Sequence, residues 1–240
     1  MRSSRRGILY FLWDIERGPY WLLAATVITV FVTSPLVAAG LLNPLMFDIV
    51  FAVFIFVGAL TVHEHGSMRY FVLTLVVLAL LTRVAAKLFP GKEISILEAL
   101  IDVGAIGIFA ALVMKQFLVS GRTASHRISG AIVVYLLIGL VWARLYQIAG
   151  LLIPGAFHME EGSATLLSYL YFSFVTLATI GYGDISPVHP VTRNLAIVEA
   201  VTGQMYIAVL IARLVSTSPP AEGKQTTPAS KPSAGEKEHA

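Results

Sequence analysis

The nine residues "TLATIGYGD" at positions 176–184 decide the fold, because they interrupt an apolar chain with small, polar and conformationally permissive residues. Of the 240 residues in the chain, 57% are hydrophobic and only 13% are charged. A soluble domain carries about 25% charged residues. A chain of this length cannot cover so much apolar surface with so few polar groups, so the composition predicts a protein that spans a membrane.

Six apolar segments are predicted to cross the membrane as helices, because a backbone in lipid has to satisfy its hydrogen bonds internally. These segments are residues 21–42, 45–62, 69–88, 94–118, 128–153 and 191–215. The fold class is therefore predicted to be an all-α membrane protein with six transmembrane helices.

The helices divide the chain into four parts. A segment at 1–20 precedes a peripheral membrane domain of four helices at 21–120, and a second membrane domain follows at 121–216. The tail at 217–240 contains no large apolar residue and is rich in Pro, Ser, Thr and Lys. This composition cannot form a packed core, so the tail is predicted to be disordered.

The distribution of Lys and Arg predicts that the N- and C-termini both lie in the cytoplasm. With the N-terminus inside, twelve of the 17 basic residues fall on the inner side and two fall in an outer loop. Basic residues concentrate on the cytoplasmic side of membrane proteins. The apolar run at 8–13 is too short for a signal peptide. Residues 176–184 are therefore expected on the outer side, between the fifth and sixth helices.

The apolar stretch at 163–175 is too short to cross a bilayer and is predicted to enter from outside and end within the membrane. Ser163 is its predicted N-cap. The C-terminal end of such a helix carries a partial negative charge that stabilises a cation. Gly181 and Gly183 permit positive φ, so successive carbonyls can turn toward a common axis. The quoted stretch is therefore predicted to bind a dehydrated monovalent cation.

The stretch resembles the potassium-channel signature Thr-x-x-Thr-Val/Ile-Gly-Tyr-Gly-Asp, and the resemblance extends over about residues 128–215. It implies that 121–216 is a pore domain with a re-entrant pore helix and a selectivity filter. It also implies a homotetramer around a central pore, because one chain carries one filter. The residues implied to coordinate K+ are Thr179, Ile180, Gly181, Tyr182 and Gly183. The residues implied to support the filter are Thr176 and Asp184.

Two positions of the last helix are implied to lie at the cavity or gate. Gly203 stands where the family commonly has a hinge glycine, and close helix packing is the alternative use of a small residue there. Gln204 is expected to face the cavity. Two other positions depart from the family pattern. Ile180 replaces the commoner valine, and Val175 replaces a glutamate that bonds the filter aspartate in some members, so Asp184 needs another partner or faces water.

The predicted function is passive, selective conduction of K+ through the cell (inner) membrane, in a bacterium by resemblance. A weakly selective cation channel is the first alternative. A filter with Asp at position 182 would favour it, whereas this chain has Tyr182. A potassium transporter subunit would carry several pore loops, and a non-conducting scaffold would not need a filter. K+, lipid and further copies of the chain are the expected partners. The chain shows no nucleophile–base–acid set, so no enzyme activity, cofactor or nucleic acid is expected.

The fourth helix decides against a voltage sensor. It contains Glu98, Asp102 and Lys115 but no arginine repeat, and steep voltage gating requires many mobile charges. The sequence "HEH" at 63–65 is either a solvated inner loop or a site for metal or protons. The gating stimulus stays open.

Charges inside the apolar helices are expected to pair, because a lone charge in lipid is costly. Arg144 and Glu199 lie at similar predicted depths, about 13 Å and about 12 Å below the outer ends of their helices. They are the predicted ion pair, with Asp102 as the alternative partner of Arg144. Arg83 is predicted to pair with Glu98 or Asp102.

Overall fold

The structure is a computed structural model that describes residues 24–43, 46, 49–50, 67–118, 124–160, 162 and 164–216. The helices in this part of the chain form where the apolar runs lie. They are a π-helix at Ile28–Thr33, α1 at Ser34–Ala38, α2 at Ser67–Leu88, α3 at Lys92–Leu118, α4 at Ala124–Leu152, α5 at Leu166–Leu177 and α6 at Pro190–Ser216. The bounds of α2, α3, α4 and α6 agree with the predicted segments to within four residues.

Three of these helices are long and apolar enough to cross a membrane. The qualifying stretches are Lys92–Lys115, Arg127–Leu152 and Pro190–Arg213. The chain is therefore a multi-pass membrane protein that is mostly helical in its described part. Most of the second predicted segment, at 45–62, lies outside the described residues, as do the "HEH" sequence, the N-terminal segment at 1–20 and the tail at 217–240.

A short antiparallel ribbon joins the loop before α5 to the loop after it. β1 is Phe157–His158 and β2 is Ser186–Pro187, with Phe157 paired to Pro187 and His158 paired to Ser186. The Ala156 carbonyl accepts the backbone N–H groups of Val188 and His189 at 2.9 and 3.3 Å. The ribbon therefore fixes the start of α6 beside the end of α4.

The apolar core lies where α3, α4 and α5 pack together. Its fully buried members include Phe109 and Val113 on α3, Val133 and Leu137 on α4, and Leu170 on α5. A second cluster of rings lies nearer the ribbon, where Tyr146 and Phe172 meet edge-to-face with ring centroids 4.8 Å apart. Each edge-to-face pair contributes about 0.5–1.5 kcal/mol beyond the burial of its two rings. The core therefore holds α5 against the side of α4.

The N-cap of the short helix α5 lies two residues later than predicted. Its N-cap is Thr165, whose backbone is extended and whose side-chain oxygen accepts the Ser168 N–H at 3.3 Å. The prediction of Ser163 as the N-cap is wrong, because both residues suit a cap and only the geometry distinguishes them. At 12 residues, α5 is about 18 Å long and does not cross a bilayer.

Candidate functional site

The quoted stretch begins by folding back onto the C-terminal end of α5. The Val175 carbonyl accepts the N–H groups of Ile180 and Gly181 at 2.8 and 3.4 Å, and the Thr176 carbonyl accepts the Thr179 N–H at 2.9 Å. These bonds satisfy carbonyls that have no partner within the helix. The stretch therefore starts at the negative end of the helix dipole, as predicted.

The backbone of the stretch alternates in handedness. Thr179, Gly181 and Gly183 have φ of 56°, 63° and 82°. The positive φ of the two glycines confirms the prediction for them. Thr179 was missed, because a positive φ is uncommon for a non-glycine residue and costs roughly 1–3 kcal/mol. The Thr176 carbonyl, which accepts the Thr179 N–H, is one contact that holds this conformation.

The side chains of the stretch are not covered by their own chain. Ile180 and Tyr182 are 53% and 70% exposed, and Asp184 is also exposed. The Asp184 carboxylate accepts a hydrogen bond from the Tyr171 hydroxyl of α5. Tyr171 therefore provides the hydrogen-bond partner of Asp184 that the apolar Val175 cannot supply. It was missed because the prediction considered only position 175 and not the residue one helical turn before it.

Helix α4 approaches α5 through two glycines on one face. Gly139 and Gly150 are 11 residues apart, which is about three helical turns. A Cβ on Gly139 would lie 2.7 Å from the Phe174 ring, and a Cβ on Gly150 would overlap the Tyr169 hydroxyl. Both glycines therefore allow a close approach that any larger residue would prevent.

The last residue of α5 is fixed from two sides. The Leu177 carbonyl accepts the Tyr135 hydroxyl of α4 at 3.3 Å. A Cβ on Gly203 of α6 would lie 2.5 Å from the same carbonyl oxygen and 3.0 Å from the Leu177 Cδ1. This contact agrees with the close-packing alternative for Gly203. The next residue, Gln204, is exposed, so its predicted place at a cavity stays a prediction.

A buried polar cluster joins α4, α5 and α6 behind the stretch. Glu199 of α6 is fully buried. Its two carboxyl oxygens contact the Tyr146 hydroxyl of α4 and the Ser173 hydroxyl of α5, the latter at 2.5 Å. The Ser173 oxygen also lies 2.8 Å from the Gly139 carbonyl. Ser173 and Tyr146 were missed, although a serine in the middle of an apolar helix is the signal that could have found this cluster.

The predicted Arg144–Glu199 ion pair is wrong. Arg144 contacts Asp102, the alternative partner, and lies 3.6 Å from Glu98. Similar predicted depths did not make Arg144 and Glu199 partners. The α4 residue that contacts Glu199 is Tyr146, and positions 144 and 146 lie about 200° apart around α4. Tyr146 therefore faces α5 and α6, whereas Arg144 faces α3.

The four charges between α2, α3 and α4 form one cluster, in which Arg83, Asp102 and Arg144 are buried and Glu98 is partly buried. Arg83 bonds Asp102 at 2.8 Å and lies 3.8 Å from Glu98, which agrees with the predicted pairing. Asp102 is fully buried and receives both arginines. Two cations and two anions balance, which lowers the cost of placing them inside an apolar bundle.

Comparison with known proteins assigns the C-terminal part of the chain. A family model described as Ion channel matches residues 130–217. The chain is 37% identical over 65 residues to Two pore potassium channel c of Oryza sativa subsp. japonica, which covers 27% of this chain and 14% of that protein. It is 48% identical over 46 residues to Two-pore potassium channel 4 of Arabidopsis thaliana, which covers 19% of this chain and 16% of that protein. The chain thus spans less than a fifth of the length of these relatives, and no solved structure matches it.

These comparisons define the class of protein. Residues 130–217 match an ion-channel domain, and the relatives over this part of the chain are named as potassium channels. The matched region contains α5, the 176–184 stretch and α6. The predicted resemblance to the potassium-channel family is therefore confirmed, by the family model and by relatives that are named as potassium channels.

Proposed function

We propose that the chain conducts K+ passively and selectively across the cell (inner) membrane through the central pore of a homotetramer. The observation that carries this proposal is the alternation in the sign of φ along the 176–184 stretch, with positive values at Thr179, Gly181 and Gly183. In a regular strand successive carbonyls point to opposite sides, and an alternating backbone turns them to one side. A row of carbonyls on one side replaces the hydration shell of a cation.

The position of the row supports the same conclusion. It starts at the C-terminal end of α5, where the helix dipole stabilises positive charge. The proposed K+ ligands are the carbonyls of Thr179, Ile180, Gly181, Tyr182 and Gly183, with the Thr179 hydroxyl. The potassium channels among the relatives support K+ as the ion.

Four copies are needed because one chain supplies one row of carbonyls. The exposed apolar surface of α6 supports assembly, since a patch of this kind marks a protein or lipid contact. The exposed apolar residues of this helix include Ile197, Val198, Val201, Met205 and Val209. The six-helix arrangement and the cytoplasmic position of both termini are part of the proposal and rest on the sequence pattern.

Ion flux through the purified, reconstituted chain tests the proposal. K+ and Rb+ should pass, Na+ should be excluded and Ba2+ should block. Gly183→Asp should impair selectivity or conduction, because it puts a Cβ and a charge at φ 82°. Gly104→Ala is the matched control, since a Cβ there meets nothing within 4 Å. Equal Na+ and K+ flux would favour the weakly selective alternative and refute K+ selectivity.

Native mass measurement tests the assembly separately. The expected particle contains four copies of the 26.0 kDa chain. A conducting particle of one or two copies would contradict the tetramer, whatever the flux assay gives.

A further inference from the structure

The number of protons in the buried polar cluster determines the charge of Glu199. The Ser173 oxygen has two short contacts, at 2.8 Å to the Gly139 carbonyl and at 2.5 Å to Glu199. A serine hydroxyl has one proton to donate and two lone pairs that accept, whereas a backbone carbonyl only accepts. If Ser173 donates to Gly139, the proton in its contact with Glu199 has to come from Glu199.

The second carboxyl oxygen completes the count. It contacts the Tyr146 hydroxyl, which has one proton. The three contacts of the cluster therefore need three protons. Tyr146 and Ser173 supply two, and an ionised Glu199 would supply none. A neutral Glu199 supplies the third.

We propose that Glu199 is a neutral carboxylic acid that donates its proton to Ser173 and thereby positions α5 and the stretch that follows it. Glu199 is a positioning residue in this proposal, because it contacts α5 and not the row of carbonyls. The consequence for conduction rests on the proposed function. The assignment of the proton does not rest on it.

The surroundings of Glu199 favour the neutral form. Glu199 is fully buried, and burying an isolated carboxylate is far more costly than burying a hydrogen-bonded neutral group. The titratable groups that face it are Tyr146 and, at longer range, Tyr135, both on α4. Asp102 is equally buried, but two arginines contact it. The structure therefore contains one buried acid balanced by cations and one whose contacts are hydroxyl groups.

The position of the cluster explains why its proton matters. Ser173 lies one turn before Leu177, where α5 ends and the alternating backbone begins. Loss of the Glu199 proton would remove the donor to Ser173 and place a charge between three helices. We therefore expect α5 to loosen when the acid ionises.

Infrared spectroscopy of the full-length protein tests the protonation state directly. A neutral carboxylic acid has a C=O stretching band that a carboxylate lacks. The band should be present in the wild type at neutral pH, absent in Glu199→Gln, and retained in the control Glu160→Gln, which changes an exposed acid of the outer loop. Identical wild-type and Glu199→Gln spectra in this region would overturn the proposal.

A second variant tests the donor and remains informative if Glu199→Gln fails to fold. Ser173→Ala removes the acceptor of the acid proton, so the Glu199 C=O band should move to higher frequency. A band that stays in place would show that Glu199 does not donate to Ser173.

Rescue by the conservative variant tests the positioning role. The glutamine amide can donate to Ser173 and its carbonyl can accept from Tyr146. Because Glu199 is expected to ionise at alkaline pH, wild-type flux should fall there. Glu199→Gln should retain ion flux and should not show this fall, whereas Glu199→Leu should lose most of the flux. Equal flux in Glu199→Leu and the wild type would refute the positioning role and leave the proposed channel function intact.

Discussion

At the scale of single residues, the missing side chain at position 203 sets how closely α6 approaches the end of α5. A Cβ there would lie 2.5 Å from a backbone oxygen, the Leu177 carbonyl, which cannot rotate away. Overpacking of this kind costs about 1–3 kcal/mol, and the gain in helix propensity from Gly to Ala offsets about 1 kcal/mol of it. We expect Gly203→Ala to lower the thermal stability of the detergent-solubilised protein and to change ion flux.

Gly104→Ala is the control for this change. Position 104 lies within α3, and a Cβ there meets nothing within 4 Å, so only the gain in helix propensity remains. Its melting temperature should be equal to or above that of the wild type. If both variants melt alike, the Leu177 contact does not limit the packing of α6.

The shared carboxylate of Asp102 gives a second prediction at the residue scale. Asp102→Leu leaves two arginines with one acid, and Arg144→Leu leaves two acids with one arginine. Each change should cost about 3–5 kcal/mol, because it leaves an uncompensated buried charge. The double variant restores neutrality, so its loss of thermal stability should be much smaller than the sum of the two.

The pair Arg144 and Glu199, which the structure does not bring into contact, provides the matched control for this comparison of single and double variants. Arg144 and Glu199 make separate sets of contacts, so Arg144→Leu and Glu199→Leu should add within about 0.5 kcal/mol. Strong coupling between these two positions would contradict the arrangement of the charges.

Residue partners could be predicted only in part from the sequence. The depth of Arg83 and of Asp102 follows from counting along the helices, and their pairing was predicted correctly. The partner of Glu199 depends on which way each helix is rotated about its axis, which depth does not specify. Thr179 could not have been recognised either, because its residue type gives no sign of a positive φ.

At the scale of elements, the long helices were predictable because apolar runs of about 20 residues have few alternatives in a membrane. The first residue of the short helix α5 was harder to predict. Both Ser163 and Thr165 precede α5 and are suitable caps, and residue type alone does not show that Thr165 is the one whose side chain accepts the Ser168 N–H. The two-residue strands were not predicted, since segments this short carry no periodic pattern.

The start of α6 depends on one threonine that reaches across to the loop after α4. The buried Thr192 hydroxyl lies 2.9 Å from the Ala156 carbonyl and 2.9 Å from the His189 carbonyl. Thr192→Val keeps the shape and removes the donor, so it should cost about 1 kcal/mol. We expect a lower melting temperature for the purified protein.

Thr202→Val is the control at the scale of the element. Its hydroxyl bonds the Val198 carbonyl at 2.7 Å within α6, and in the described part of the chain this bond connects no second element. This variant should melt close to the wild type. An equal loss in both variants would show that the link from Thr192 to Ala156 does not stabilise the junction.

At the scale of the whole molecule, α6 leaves much of its apolar surface uncovered in a single chain, whereas α4 is mostly covered. The composition predicted a membrane protein, but it could not predict which helix would stay open. Packing decides this, since α4 contacts α3, α5 and α6 and lies at the centre of the described helices. The open surface of α6 is where the proposed copies would meet.

The ion cluster has a consequence for how freely this chain can be divided or recombined. The predicted domain boundary at 121 separates Arg144 from all three charges with which it forms the cluster, because these lie on α2 and α3. A fragment at 121–216 would thus contain an unbalanced arginine. Arg144→Leu should increase the recovery of folded fragment from the membrane and lower the stability of the full chain. If Arg144→Leu changes fragment recovery and full-chain stability in the same direction, the segment at 121–216 is an independent module. If the two change in opposite directions, this segment could be joined to a different set of preceding helices only after position 144 is redesigned.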